Sequence, residues 1–390
     1  MLSKEDNELL TQTSAGTPGG DLLRRYWMPI CPAAELTAEK PKRRVRILGE
    51  DLVLFRDGQG KLGLMAEQCP HRNASLYYGF VEDDGLRCPY HGWKFDAEGA
   101  CIERPFEKNK DARLPECAKA YPAQALGGII FGYLGPLPAP LLPRWENYVR
   151  KDGKRTITVL PVHHCNWLQA QENSVDPVHT YWLHAHILKS KGLDPRATAY
   201  FGRPIEAYDF DLCHEPTWSG IRKARVYGGD KPEREIGHPA IFPNILMNPQ
   251  AGALVSHHRT PIDDKTTYII WQEFWPSPDG KEVEQRDEDI PVTYLDHPKG
   301  ADGEYDLSSF PAQDLMAWET QGAIADRSRE MLGASDRGIV MWRRLLKEQI
   351  ELVQQGKEPV GIIRDAALND IITFHLSKGQ MNLSLGAAAE

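Results

Sequence analysis

Cys69-Pro70-His71, separated by sixteen residues from Cys88-Pro89-Tyr90-His91-Gly92-Trp93, is the stretch on which the reading of the whole chain turns. It holds two soft thiolate donors and two imidazoles as two tight mixed pairs, C-x-H and C-x-x-H. Two hairpin loops carrying such pairs can close around one small inorganic centre. Pro70 and Pro89 stiffen the loops, and Gly92 lets the backbone approach closely.

A structural zinc site is the competing reading. Zinc sites usually pair cysteine with cysteine and histidine with histidine, whereas each pair here is mixed. Two cysteines on one iron and two histidines on the other describe a Rieske [2Fe–2S] centre. Exchanging two thiolates for neutral imidazoles removes negative charge and raises the reduction potential to roughly −150 to +300 mV. Such a cluster accepts an electron from a reductase and passes it on.

The surrounding chain sets few limits but useful ones. Its 390 residues suffice for two domains. Hydrophobic residues at 41% and charged residues at 26% are ordinary for a soluble globular protein. A net charge of −9 argues against nucleic acid as a partner. Met1 to Asn7 carries charges where an export signal needs an apolar core, and no stretch approaches about 18 consecutive apolar residues. We therefore expect a cytoplasmic protein with no membrane span. Of seven cysteines, Cys31, Cys101, Cys117, Cys165 and Cys213 lie outside the motif and are expected as reduced, mostly buried thiols.

Along the chain, residues 1–28 form an arm in which Gly16 to Gly20 should break any early helix and Asp21 to Trp27 form a short one. Short β segments follow: Val45–Leu48, Asp51–Phe55, Leu62–Met65, Trp93–Asp96, Ala100–Ile102 and a closing strand over Leu126–Leu134. Within them Gly58-Gln59-Gly60-Lys61-Leu62-Gly63 fits G-x-G-x-x-G, but a dinucleotide fingerprint needs a strand before it and a helix after it. Here the glycines fall in a hairpin turn, so any NAD(P)H binds another protein. Gly135 to Pro143 reads as a stiff linker. The boundary falls there, dividing 1–140, a small antiparallel β unit with its arm, from 141–390. The second region should contain strands at 155–160, 208–212, 217–227, 253–260 and 266–275. Helices are expected over about 166–175, from about 312, and over 335–356, where Ser335 or Asp336 can cap.

Asn173-Ser174-Val175-Asp176-Pro177-Val178-His179-Thr180-Tyr181-Trp182-Leu183-His184 is the second informative stretch. Histidines five apart lie about 140° from each other on a straight α-helix. They meet on one ion only if the helix is broken or bulged, for which Pro177 or a π-bulge would serve. His179 and His186 would share a face but two turns apart, so His179 and His184 are the expected pair. Two imidazoles and one carboxylate with open positions suit non-haem Fe(II) and O₂. Asp314 is the best candidate carboxylate, with Asp326 and Glu330 as rivals. A one-electron cluster upstream needs a destination, which such an iron provides.

With these residues in view, the chain resembles the α subunit of a Rieske non-haem iron aromatic-ring oxygenase. The Cys69–His91 motif matches, as does Asn173-x-x-Asp176-x-x-His179-x4-His184. The segment from Gln313-Asp314 through Asp326-Arg327-Ser328 to Ser335-Asp336 resembles the phthalate dioxygenase-like branch, which includes dehydrodivanillate O-demethylase. The resemblance implies an α+β fold: an antiparallel β Rieske domain, then a catalytic domain whose curved antiparallel sheet is covered by helices, of helix-grip type. It implies Cys69, His71, Cys88 and His91 on the cluster, and His179, His184 and Asp314 on the iron. Catalytic roles fall to Asn173 and Asp176, with Asp176 bridging His179 to His91 of a neighbouring copy. A homotrimer or a stack of two is implied, fed by an NAD(P)H-dependent reductase, with or without a ferredoxin.

The implied substrate is an aromatic acid, hydroxylated or O-demethylated with O₂. Guanidinium suits carboxylates, and Arg196, Arg203, Arg222, Arg225 and Arg259 lie in the pocket-building region. Strand alternation should point Arg222 and Arg225 opposite ways. A Rieske electron carrier without oxygenase activity is the alternative, but it leaves His179, His184 and Asp314 without a role.

Overall fold

The computed structural model describes residues 2–109, 114, 117–228, 233–249 and 252–373. The arm contains two helices, α1 (Lys4–Thr11) and α2 (Pro18–Leu23). Ser3 caps α1 by accepting the Asp6 N–H, and Thr17 caps α2 with Pro18 in its first turn. Of the glycines expected to break an early helix, Gly16 does so, turning between α1 and α2 at φ +79°, but Gly19 and Gly20 lie inside α2. A Cβ on Gly20 would stand 2.0 Å from the Ser14 carbonyl oxygen, so the turn can pack on its own approach only without side chains. The helix expected over 21–27 is also displaced, because Trp27 already opens β1 (Trp27–Pro32).

The strands that follow are β2 (Lys42–Ile47), β3 (Glu50–Arg56) and β4 (Leu62–Ala66). Then come β5 (Phe80–Glu82), β6 (Gly85–Arg87), β7 (Lys94–Phe95) and β8 (Cys101–Glu103). β9 (Ala120–Tyr121), β10 (Ala123–Leu126) and β11 (Ile129–Tyr133) complete the region. They form three antiparallel sheets, ordered β1-β11-β10, β2-β3-β4-β9 and β5-β6-β7-β8. The G-x-G-x-x-G glycines sit in the β3–β4 turn and run into β4, as expected. The single closing strand read at 126–134 is instead the β10–β11 hairpin, turned by Gly127 and Gly128 at positive φ.

After a short helix α3 (Glu146–Val149), an eight-stranded sheet is built from β12 (Gly153–Val159), β13 (Ile205–His214), β14 (Ser219–Tyr227) and β15 (Glu233–Ile241). Its other members are β16 (Ile245–Met247), β17 (Leu254–Asp263), β18 (Thr266–Pro276) and β19 (Val292–Tyr294). The order is β13-β14-β15-β16-β17-β18-β12-β19. All neighbours are antiparallel except the last pair, β12 with β19, which correct the fully antiparallel expectation. α4 (Trp167–Asn173) lies on this sheet. After it come α5 (Ile187–Lys191), α6 (Pro195–Phe201), α7 (Phe310–Glu319) and α8 (Arg337–Gln354). α8 buries Trp342, Leu346, Ile350 and Val353 at helical spacing and ends before Gly356 at φ +74°. Asp336 precedes it, but its carboxylate accepts the Gly333 N–H instead of capping α8.

α1 and α2 pack toward α8, and one apolar core joins Leu10, Leu22, Leu52 and Leu54 to Trp167, Phe210, Trp342 and Leu346. α4 is buried almost end to end, including Glu172. That carboxylate receives Arg327 through Nε (2.9 Å) and Nη2 (2.9 Å), and Arg343 through Nε (2.6 Å). Arg327, fully buried, also reaches Asn7 Oδ1 at 3.1 Å. Leu2 N–H donates to the Arg327 carbonyl, and Asn166 Nδ2, at the start of α4, donates to the Thr11 carbonyl. The arm is therefore fastened to α4 through Glu172 and its arginines.

Candidate metal centres

The two cysteine–histidine loops share one backbone design. Cys69 N–H donates to the Ala74 carbonyl and the Cys69 carbonyl accepts Asn73 N–H; Cys88 donates to Trp93 and accepts Gly92 N–H. The fourth residue after each cysteine must turn left-handed, and it is Asn73 (φ +58°) in one loop and Gly92 (φ +73°) in the other. Both types tolerate that region. Sequence reading singled out Gly92 and missed its counterpart Asn73.

Both thiols are buried, at 1% and 2% exposure, among Val53, Phe55, Met65, Leu76, Leu86 and Phe95. His71 and His91 are half-buried, with ring centroids 4.6 Å apart, and His71 stacks on Trp93. Sulfur thus lies inward and imidazole outward. Arg87 braces the second loop by donating to the Gly92 carbonyl at 2.7 Å while pairing with Glu82 and Glu103. The four side chains fit a [2Fe–2S] cluster on two counts. His91 Nδ1 is buried without a partner. Burial also pushes the Cys69 thiol up to about 12, so its thiolate form needs a positive centre beside it, which iron supplies.

The second centre begins at the end of α4. Asp176 Oδ1 accepts the Val178 N–H at 2.8 Å and so starts the next helical segment. That segment is not α but π from Thr180 to His186. Winding i→i+5 instead of i→i+4 brings residues five apart onto one side, which is the bulge that the His179/His184 spacing demanded. The rings lie 5.2 Å apart, centroid to centroid. Asp314 on α7 places Oδ1 3.5 Å from His184 Nε2 and 4.0 Å from His179 Nε2. One ligand atom from each of the three lies within 4.8 Å of the others. His186 turns away, its Nδ1 on the Tyr181 carbonyl and its ring on Trp182.

One ring is held from behind by a hydrogen bond, and the other has a carboxylate facing it. His184 Nδ1–H donates to Gln313 Oε1 at 2.8 Å, and Gln313 in turn donates to the Leu307 carbonyl. Burial holds His184 below its usual value, so near neutrality the ring is uncharged with Nε2 free to bind an ion. His179 Nδ1 faces Asp176 Oδ2 at 3.5 Å. Burial alone would push Asp176 up, but His179 and the Val178 N–H hold it below the usual carboxylate range. Asn173 Nδ2 donates to Asp314 Oδ1 at 3.3 Å. The fit to a divalent cation is therefore good: three converging donors, with His184 and Asp314 hydrogen-bonded to supporting residues and His179 facing a carboxylate. The rival carboxylates are elsewhere, Asp326 on Ser328 and Glu330 on Arg343. Sequence reading gave no role to Gln313, whose only signal was its place beside Asp314.

A further trio, His164, His297 and Glu319, also clusters. Glu319 already accepts from His164 N–H, His297 Nε2 and the Tyr305 hydroxyl. Lys299 N–H points at His297 Nδ1, which places the ring proton on Nε2 and takes that nitrogen out of use as a ligand.

The five candidate arginines part company. Arg196 is exposed on α6; Arg203 pairs with Glu233; Arg222 is half-buried. Arg225 is buried on the opposite face from Arg222, as alternation required, and pairs with Glu235 while donating to Thr180 Oγ1. Arg259 is buried on β17 without a counter-ion among the described residues.

A cluster-type β domain joined to a helix-covered sheet with a two-histidine, one-carboxylate centre defines a Rieske oxygenase α subunit, and the chain belongs to the Rieske non-haem iron oxygenase family. Residues 26–122 match the Rieske [2Fe-2S] domain and residues 271–377 the LigXa C-terminal domain like family. The chain is 43% identical to the 5,5'-dehydrodivanillate O-demethylase oxygenase subunit of a Sphingobium species, over 95% of its own length and 86% of the relative's. It is 31% identical to the phthalate 4,5-dioxygenase oxygenase subunit of Pseudomonas putida, over 96% and 92%. The oxygenase in the reduced oxygenase–ferredoxin complex of carbazole 1,9a-dioxygenase shares the fold, with a TM-score of 0.62 over 96% of this chain and 99% of that one at 21% identity. The protein is thus an oxidoreductase whose cofactors are a Rieske cluster and a mononuclear non-haem iron. Among the described residues no helix is long and apolar enough to cross a membrane.

Proposed function

We propose that this chain is the terminal oxygenase that O-demethylates a methoxylated aromatic acid, with Cys69, His71, Cys88 and His91 holding the cluster and His179, His184 and Asp314 the iron. The convergence of those last three side chains within 4.8 Å carries the reading, and the 43% identity favours demethylation. Ring hydroxylation of a phthalate-like acid is the second reading, favoured by the 31% relative. When bound, the cluster supplies electrons singly and the iron supplies O₂ activation. Overall, one oxygen atom enters a methoxy C–H bond and the other leaves as water with two electrons and two protons. The resulting hemiacetal collapses to a phenol and formaldehyde.

The chain's own residues prepare this chemistry. Gln313 holds the His184 imidazole in the tautomer that frees its inward nitrogen, Asp176 faces His179 Nδ1, and Asn173 steadies Asp314. In a homotrimer, or a stack of two, Asp176 would also meet the partner subunit's cluster edge and couple the two centres. We assign the electron supply to an NAD(P)H-dependent reductase, with or without a ferredoxin. All seven cysteines are free, which suits a reducing cytoplasm. Residues 1–140 and 141–390 serve as cluster and iron domains in this reading, the latter including 374–390, which lie outside the described residues.

Substrate-dependent O₂ uptake with a surrogate reductase, across benzoates, phthalates and methoxybenzoates, tests the proposal. Formaldehyde release decides for demethylation, a cis-dihydrodiol for hydroxylation, and no uptake with any acid sinks both. Gln313→Leu should weaken iron binding by roughly 10–100-fold, the usual cost of a lost supporting partner, as read by metal titration. Asp176→Asn retains an oxygen to accept the Val178 N–H but loses the charge. It should keep both metals and slow re-oxidation of the reduced cluster in a single turnover by roughly 10–100-fold; an unchanged rate removes Asp176 from the relay.

A further inference from the structure

Six arginines are buried among the described residues: Arg24, Arg155, Arg225, Arg259, Arg327 and Arg343. Arg24, Arg225, Arg327 and Arg343 each face a carboxylate at 3.1 Å or less. Arg155 donates to the Asn147 and Arg150 carbonyls and lies over the Phe274 ring. Arg259, at 2% exposure, has one long hydrogen bond, from Nη1 to the His257 carbonyl at 3.3 Å, and its buried Nε has no partner. Leaving a guanidinium in the interior without an anion is costly. The carboxylate whose charge reaches it is Asp314, and in the reading above that charge is committed to iron.

Its neighbourhood is polar. His257, two residues earlier on the same face of β17, has a buried Nε2 with no partner and a ring stacked on Trp271. Lys223 and Arg225 of β14 reach the helical layer at the Ser174 carbonyl and Thr180 Oγ1. This face of the sheet therefore looks toward the segment that carries His179 and His184.

We propose that Arg259 is the anion anchor of the substrate pocket, taking the carboxylate of the aromatic acid through its guanidinium fork, with His257 Nε2 as a neighbouring polar contact. This rests on the oxygenase reading for the identity of the ligand. A planar fork fits a carboxylate through two parallel N–H bonds, which a lysine ammonium cannot reproduce. The anion would stand beside the iron centre and fix which part of the ring faces it.

The test is calorimetric titration of the holoenzyme with benzoate, phthalate and 3-methoxybenzoate and with the neutral methyl ester of each. The wild type should bind at least one acid at least about tenfold more tightly than its ester. Arg259→Met should remove that preference while leaving the ester unchanged, and Arg259→Lys should restore it in part, with cluster absorbance and iron content as checks on folding. Acids and esters bound equally by the wild type, no binding across the panel, or an unaltered preference in Arg259→Met would each overturn the anchor. O₂ consumption without an acid preference overturns the anchor alone. Acid preference without O₂ consumption overturns the oxygenase reading alone.

Discussion

His184→Ala will leave the visible absorption of the Rieske cluster intact and abolish product formation, a loss of at least about 10³-fold, or about 4 kcal/mol of transition-state stabilisation. The cluster loops lie in the β4–β8 region and share no side-chain contact with His184. That imidazole instead touches Asp314, Gln313 and the rings of Phe201 and Phe310. Alanine removes one of three converging donors, and two remaining donors hold Fe(II) far more weakly. Iron analysis should fall from three atoms per chain toward two, the content of a bare electron carrier. Sustained turnover by this variant would overturn the ligand assignment.

Glu172→Gln is expected to lower stability by about 3–5 kcal/mol, the cost of breaking a buried ion pair from one side, read as a fall in the denaturant midpoint at neutral pH. Arg343 would keep Glu330, but Arg327 would be left fully buried with only neutral acceptors at Asn7 and Ala325. Although burial alone would push Glu172 up, Arg327 and Arg343 hold it below its ordinary value. Its contribution is therefore fully present above the unfolded glutamate range, about 4.3, and is lost as pH falls through the lower folded value. The variant should be less stable at pH 7, with the difference from wild type shrinking as acid is added. A constant difference across that range would assign the loss to packing instead of charge.

Both centres were legible in the sequence because metal ligation is local chemistry with fixed donor types. Mixed Cys/His pairs and a five-residue histidine spacing limit what the backbone can do, and the π turn is the form that the second limit takes. Strand β1 was not legible. Pro29 and Pro32 argue against a strand by propensity, but pairing with β11 overrides them with a register shift between Pro29 and Cys31. β15 was also missed: its charged Glu233, Arg234 and Glu235 lack strand propensity, and the buried Glu235 is tolerated because the cross-strand Arg225 and the Tyr200 and Tyr227 hydroxyls all donate to it. Helix α2 was misplaced because glycine was read for its flexibility, when the packing needs its lack of a side chain. Gln313 and Arg259 needed three dimensions, since each is defined by what it faces.

The fastening of the arm has a practical side. Leu2, Asn7 and Thr11 reach residues 325–327 and Asn166, and through them the helix that leads into the iron-binding segment. A protein engineer who trims or re-tags the first dozen residues for convenience in purification would be loosening the floor beneath the metal, more than 150 positions away along the chain. Poor iron loading in such a preparation should be traced to its leading end before the ligands themselves are blamed.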